Sequence, residues 1–133
     1  MEGVKIQVRF SDIDVMGHVN NAVYLSYFEM ARVVLFSRLM GENWDWKKDG
    51  VILRKNEIDY IKPVLLNEEP EIFIFCKKIG NKSFVLEYDL KVDNEIRATG
   101  SSLLVAFDSE MNITKEVPLK LRKELEMLFR NDN

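Results

Sequence analysis

Asp12, Asp14, His18, Asn20 and Asn21 place two carboxylates, an imidazole and two carboxamides between an alternating apolar segment and a long apolar one. His18 is the only histidine in the chain. Asp14 precedes Gly17, a natural turn residue, and the start of the long apolar segment. A carboxylate so placed can act on a carbonyl carbon as nucleophile, or as general base for a water. The start of a helix offers unpaired backbone N–H groups and a positive dipole end. Those donors suit the oxyanion that develops on an attacked carbonyl. The same residue types are also ordinary helix caps, and His18 can orient a carboxylate or the loop without moving a proton. Taken alone, these residues leave acyl transfer to water and simple capping both open.

The elements around the segment decide how it is presented. Val4, Ile6, Val8 and Phe10 alternate with Lys5, Gln7 and Arg9, which predicts a half-buried strand. Residues 21–40 read as a helix of about five turns that Gly41 stops. Apolar residues occupy nearly every side of it, so it is expected to be surrounded. Strands are expected over Val51–Lys62, Glu71–Ile79, Ser83–Val92 and Ile96–Phe107, with turns at Gly80-Asn81-Lys82 and Asp93-Asn94. The last four are expected to run as a meander. The run Ile72-Phe73-Ile74-Phe75-Cys76 is apolar on both faces, which predicts cover on both sides and, with the edge strands, sheets meeting between subunits. Residues 118–130 read as a short amphipathic helix with Leu119, Leu121, Leu125 and Leu128 inward. The class is α+β, in one domain spanning residues 1–133.

Composition bounds the rest. The 133 residues carry 19 basic and 22 acidic side chains, a net charge of −3 that argues against a general nucleic-acid binder. The single cysteine, Cys76, excludes an internal disulfide and a cysteine-based metal site, and fits a reducing cytoplasm. No signal peptide is visible at the N-terminus. The longest apolar segment contains Ser26, Glu29, Arg32, Ser37 and Arg38, too polar for a membrane span.

The segment from Arg9 to Asn21, followed by Tyr24, Tyr27, Glu29, Ala31 and Arg32, resembles the hot-dog-fold acyl-CoA thioesterases, in particular the 4-hydroxybenzoyl-CoA thioesterase type. It is also similar to the plant acyl-carrier-protein thioesterases, which share Asp-x-Asp-x-x-x-His-Val-Asn-Asn. The resemblance implies a five-stranded antiparallel sheet wrapped around one long central helix. It implies hydrolysis of an acyl-CoA, or of an acyl carrier protein thioester, without metal or cofactor. It further implies a homodimer, or a tetramer built as a dimer of dimers. On this alignment the catalytic aspartate falls on Asp14 and the backbone oxyanion donor on Asn21. Tyr24 falls on an aromatic position lining the acyl site, and Asn20 helps to shape it. His18 matches the histidine of the plant-type enzymes, where the 4-hydroxybenzoyl type has an apolar residue. Met16 stands where the plant-type pattern has an asparagine.

Two rivals share the fold: a non-catalytic protein binding acyl-CoA or acyl carrier protein, and a hydratase using His18 with the helical carboxylate Glu29. Glu29 is otherwise expected to pair with Arg32. Lys77, Lys78 and Lys82 surround the first hairpin turn, and Arg54 with Lys55 forms a second cluster. Either could hold the phosphates of coenzyme A, and either also reads as a solvated strand end. Trp44 and Trp46 are expected to pack between loop and core.

Overall fold

Val4, Ile6 and Val8 are buried, as their alternation predicts. Ladder pairing nonetheless stops early. In the computed structural model, which describes residues 2–131, β1 is only Val4–Lys5, antiparallel to Ile72 and Glu71. One position further, Ile6 N–H donates to the Pro70 carbonyl at 2.9 Å. Proline has no N–H to return, so the ladder ends there. Phe10, expected on the buried face, instead opens a 3-10 turn, Phe10–Asp12, and is 83 % exposed.

The remaining elements are α1 (Val23–Met40), β2 (Gly50–Tyr60), β3 (Glu71–Ile79), β4 (Ser83–Val92), β5 (Glu95–Asp108), β6 (Ile113–Thr114) and α2 (Leu119–Glu126). β3 and β4 keep the bounds read from the sequence, and the two-residue β6 is additional. Gly41 ends α1 with φ +80, and its N–H donates to the Ser37 carbonyl at 3.1 Å. Asp93 and Asn94 take φ +49 and +67, the left-handed pair that a two-residue hairpin requires. The strand order is β1-β3-β4-β5-β2, with β6 on β5. The expected meander of four strands is therefore one of three. The tight turns at 80–82 and 93–94 force β3, β4 and β5 to be neighbours. Residues 61–70, with Pro63 and Pro70, are long enough to carry the chain from β2 at one end of the order to β3 near the other. The architecture is α+β, one long helix with an antiparallel sheet.

The chain falls into two units. Unit one comprises Met1–Leu35, Ile58–Ile74 and Tyr88–Gly100; unit two comprises Phe36–Glu57, Phe75–Glu87 and Ser101–Asn133. In unit one, α1 buries Tyr24, Tyr27, Phe28 and Ala31. Phe28 stacks on Tyr88 of β4 with centroids 4.4 Å apart, and buried Arg32 donates to the Tyr88 hydroxyl at 2.9 Å. In unit two, Phe36 meets Phe84 edge-on at 6.3 Å and lies 5.6 Å from Trp46. Trp46 contacts Trp44, over which the Lys120 ammonium sits at 5.6 Å. Both tryptophans are half-buried: Trp46 packs the loop onto buried Phe36, as expected, whereas Trp44 packs on Trp46 and within the loop.

Three expectations about cover are corrected. Met30 and Val33 of α1 are 49 % and 60 % exposed, so one side of the helix stays open within the chain. In β3, Ile72, Ile74 and Cys76 are buried, but Phe73 and Phe75 are half-buried. Their rings are covered by cations of the same chain: Lys91 stands 5.2 Å from the Phe73 centroid, and Arg130 lies 3.8 Å from that of Phe75. That apolar run therefore does not by itself require a second sheet. α2 is shorter than residues 118–130. Leu121 and Leu125 are buried, Leu119 is exposed, and the Leu128 carbonyl leaves the helix to accept Cys76 N–H at 2.9 Å. Burial pushes the free Cys76 thiol up to about 11. Among the described residues, no helix is long and apolar enough to cross a membrane.

Candidate active site

Asp12 is the anchor of the motif. It is 4 % exposed, and its Oδ2 accepts the Tyr27 hydroxyl at 2.6 Å and Arg9 N–H at 2.9 Å. The Arg9 guanidinium lies 3.6 Å from Oδ1. Burial pushes the Asp12 carboxyl up, but the Tyr27 hydroxyl, the Arg9 N–H and the Arg9 charge outweigh it and hold the group below its ordinary value. The Tyr27 hydroxyl is correspondingly driven well up by burial and by Asp12. Asn20 N–H donates to the Asp12 carbonyl at 2.8 Å, so this buried pair also carries the far end of the loop.

The loop between them is a tight hairpin. Ile13 bridges Val19, Asp14 N–H donates to the His18 carbonyl at 2.8 Å, and Gly17 N–H donates to the Asp14 carbonyl at 3.1 Å. Gly17 has φ +80, where a side chain would be strained. The Asp14 carboxylate is held from within the loop: Oδ1 accepts Met16 N–H at 2.9 Å and His18 N–H at 3.2 Å. No described residue donates to Oδ2. The hairpin is tied to residues 63–65 by Val19 N–H on the Val64 carbonyl, 2.9 Å, and by a bridge between His18 and Leu65.

The helix start is capped by Asn20 twice over. Its Oδ1 accepts Ala22 N–H at 2.9 Å, and its carbonyl accepts Val23 N–H at 2.9 Å. Asn21 N–H is left without an acceptor among the described residues. The Asn21 carbonyl accepts the Tyr60 hydroxyl at 2.8 Å.

These groups line one pocket of about 260 Å³ in unit one. Asp14, His18, Asn21 and Tyr24 were expected there, and the fold brings all four together. Asn20 is not in the wall; its side chain is spent on the cap. Val19, Tyr60, Ile61, Lys62 and Pro63 complete the lining, and sequence reasoning missed them as site residues. The only local signal was Pro63 ending a strand. The wall is held from behind by Arg97 of β5. Its guanidinium forks onto Glu68 at 2.7 and 2.9 Å and donates to the Pro63 carbonyl at 2.7 Å and to Glu95 at 2.6 Å. The hydrogen bonds from Arg97 hold the Glu68 carboxyl below its ordinary range. Burial raises the Tyr24 hydroxyl, with the Val64 backbone partly offsetting it.

Other expected residues lie elsewhere. Glu29 lines a different pocket with Ser26, Met30, Val33 and Val34, so the chain does not pair it with His18 as a hydratase would need. In unit two, Lys77 and Lys78 line a pocket of about 310 Å³ with Lys55, Glu57, Val85, Ser101 and Leu103. Lys82 sits in the β3–β4 turn, where its carbonyl accepts Ala106 N–H at 2.8 Å. Among the described residues, no three His, Cys, Asp or Glu side chains cluster as metal ligands.

Residues 8–125 match the thioesterase-like superfamily. The chain belongs to that superfamily. The uncharacterized protein YsmA of Bacillus subtilis (strain 168) is 32 % identical over 109 residues, covering 80 % of this chain and 72 % of YsmA. The long-chain acyl-CoA thioesterase FadM of Escherichia coli (strain K12) is 26 % identical over 129 residues, covering 95 % and 98 %. Among solved structures, a Thermus thermophilus thioesterase complexed with coenzyme A and zinc superposes with a TM-score of 0.82. It is 34 % identical, and 96 % of each chain is covered. These likenesses carry the hot-dog fold and thioesterase kinship.

Proposed function

We propose that this thioesterase-superfamily protein hydrolyses an acyl-CoA to the free acid and coenzyme A, within the 4-hydroxybenzoyl-CoA thioesterase type. The observation that carries the reading is the shared pocket of Asp14, with an uncommitted Oδ2, and Asn21, with an uncommitted backbone N–H. In the general-base route, Asp14 takes a proton from water while the water oxygen bonds to the acyl carbon. The oxyanion is stabilised by Asn21 N–H. The C–S bond then breaks, and the thiolate leaves with a proton from the acid. In the nucleophilic route, the Asp14 carboxylate attacks first, expels the thiolate, and leaves a mixed anhydride for water to cleave. Tyr24 and Tyr60 wall the acyl group, Asn20 sets the loop, and His18 shapes the rim. Lys77, Lys78 and Lys82 are assigned to the phosphates of coenzyme A.

A homodimer, itself paired into a tetramer, belongs to the same reading, as does a cytoplasmic setting. What supports assembly is the open apolar side of α1 and the eleven-residue strand β2, which ends the sheet order with Ile52 and Leu53 each 43 % exposed.

The test is thiol release from a panel of acyl-CoAs and acyl carrier protein thioesters, with Asp14→Asn as the control. The variant should lose at least about 10²-fold in kcat while keeping its melting temperature. Turnover near that of the wild type would remove Asp14 from the mechanism. Ligand binding without thiol release would favour the non-catalytic rival.

A further inference from the structure

We infer that Tyr60 is a positioning residue for the reaction, its hydroxyl fixing the carbonyl of the same residue whose N–H is the oxyanion donor. This rests on the acyl-CoA hydrolase reading above. The donor, Asn21 N–H, lies in a short non-helical connection between the Asp14 hairpin and α1. Its own peptide is set by the Asn20 carbonyl, which accepts Val23 N–H at 2.9 Å. In a trans peptide the C=O and N–H point opposite ways, so this bond turns Asn21 N–H away from the helix. The Asn20 side chain takes Ala22 N–H at 2.9 Å. Both of these ties are local. They define the shape of the turn, which Asn20 N–H ties to the Asp12 carbonyl at 2.8 Å, but leave the Asn21 carbonyl without an anchor.

Tyr60 supplies that anchor from β2, 39 residues away in sequence. Its hydroxyl donates to the Asn21 carbonyl at 2.8 Å. The ring is itself located by Tyr24, edge-on at 5.1 Å, and Tyr24 is 2 % exposed. The hydroxyl hydrogen is thereby committed to a backbone oxygen, so the hydroxyl acts on Asn21 while the ring alone faces the substrate. An oxyanion donor works by being in place before charge develops. Small misplacements of such groups are felt in the rate. Loosening one anchor should therefore slow the chemical step and leave acyl binding nearly intact, because phenylalanine keeps the same aromatic wall.

The experiment is steady-state thiol release by the full chain, on the best acyl-CoA of the panel, for the wild type, Tyr60→Phe and Tyr60→Leu. Tyr60→Phe should lower kcat about 5- to 10-fold, with KM within about twofold and a melting temperature lowered by no more than about 5 °C, the fall that loss of one neutral hydrogen bond allows. Tyr60→Leu, which also loses the ring, should raise KM as well. A kcat for Tyr60→Phe within twofold of the wild type overturns the inference. So does a variant whose KM rises more than twofold along with the fall in kcat, because that marks a wall residue only. Wild-type protein that releases no thiol from any acyl-CoA overturns the hydrolase reading, and this inference with it.

Discussion

Tyr27→Phe removes one oxygen atom and tests whether the buried Asp12 anchor supports the site. The Tyr27 hydroxyl sits 2.6 Å from Asp12 Oδ2, and Asp12 is 4 % exposed. A hydrogen bond to a buried charge contributes about 1.5–3 kcal/mol, and water cannot readily replace it at this depth. Arg9 N–H at 2.9 Å still serves the same oxygen, which favours a value near 2 kcal/mol. For 133 residues the unfolding entropy near 60 °C is about 0.28 kcal/mol per kelvin, so the melting temperature should fall by about 7 °C. The pH dependence has a definite sign. Folding holds the Asp12 carboxyl below its ordinary value, so its stabilisation is present above the unfolded pKa and is lost as pH falls through the folded one. Tyr27→Phe takes away part of that depression. The gap between wild type and variant should therefore be full at pH 7 and shrink below about pH 4, where Asp12 becomes protonated in the unfolded chain and then in the folded one. Scanning calorimetry at pH 7, 5 and 3 reads this directly. A gap under 2 °C at pH 7, or one equally large at pH 3, would refute the assignment of Asp12 as a charged, Tyr27-held anchor.

His18 acts on Asp14 through its backbone N–H, so His18→Asn should slow turnover only a few-fold and preserve the shape of the pH–rate profile; loss of a titration near neutral pH would make the imidazole a direct acid or base. Arg97→Met removes the fork that holds Glu68 and the Pro63 carbonyl, and should cost about 2–3 kcal/mol with a raised KM; calorimetry and thiol-release kinetics on the same preparation check both. Light scattering at micromolar concentration should return at least a dimer, and a stable, active monomer of 15.6 kDa would refute the assembly.

Much was legible in the sequence where a local rule has no competitor. Phe84, Leu86, Tyr88, Leu90 and Val92 alternate without interruption, and all five are buried in β4. Gly41 and Gly17 marked turns because glycine, with no Cβ, tolerates positive φ, and the Asp93-Asn94 pair because short polar side chains do. The resemblance of the motif to the thioesterases pointed to Asp14, His18, Asn21 and Tyr24, and the folded hairpin and helix start do line one pocket with all four. The tertiary structure alone decided the opposite wall. Tyr60 ends a strand that pairs with β5, Ile61, Lys62 and Pro63 follow it, and nothing local to them indicates that Val64 and Leu65 will meet the Asp14 hairpin. The end of β1 was equally hidden, because it depends on Pro70, which has no N–H to offer and is more than sixty residues away. Periodicity also misjudged cover: a half-buried ring in β3 reads as apolar, and only the folded chain reveals that Lys91 or Arg130 lies over it. Side-chain type and spacing act over one turn or one strand, whereas the pocket is made by hydrogen bonds between segments that only folding brings together.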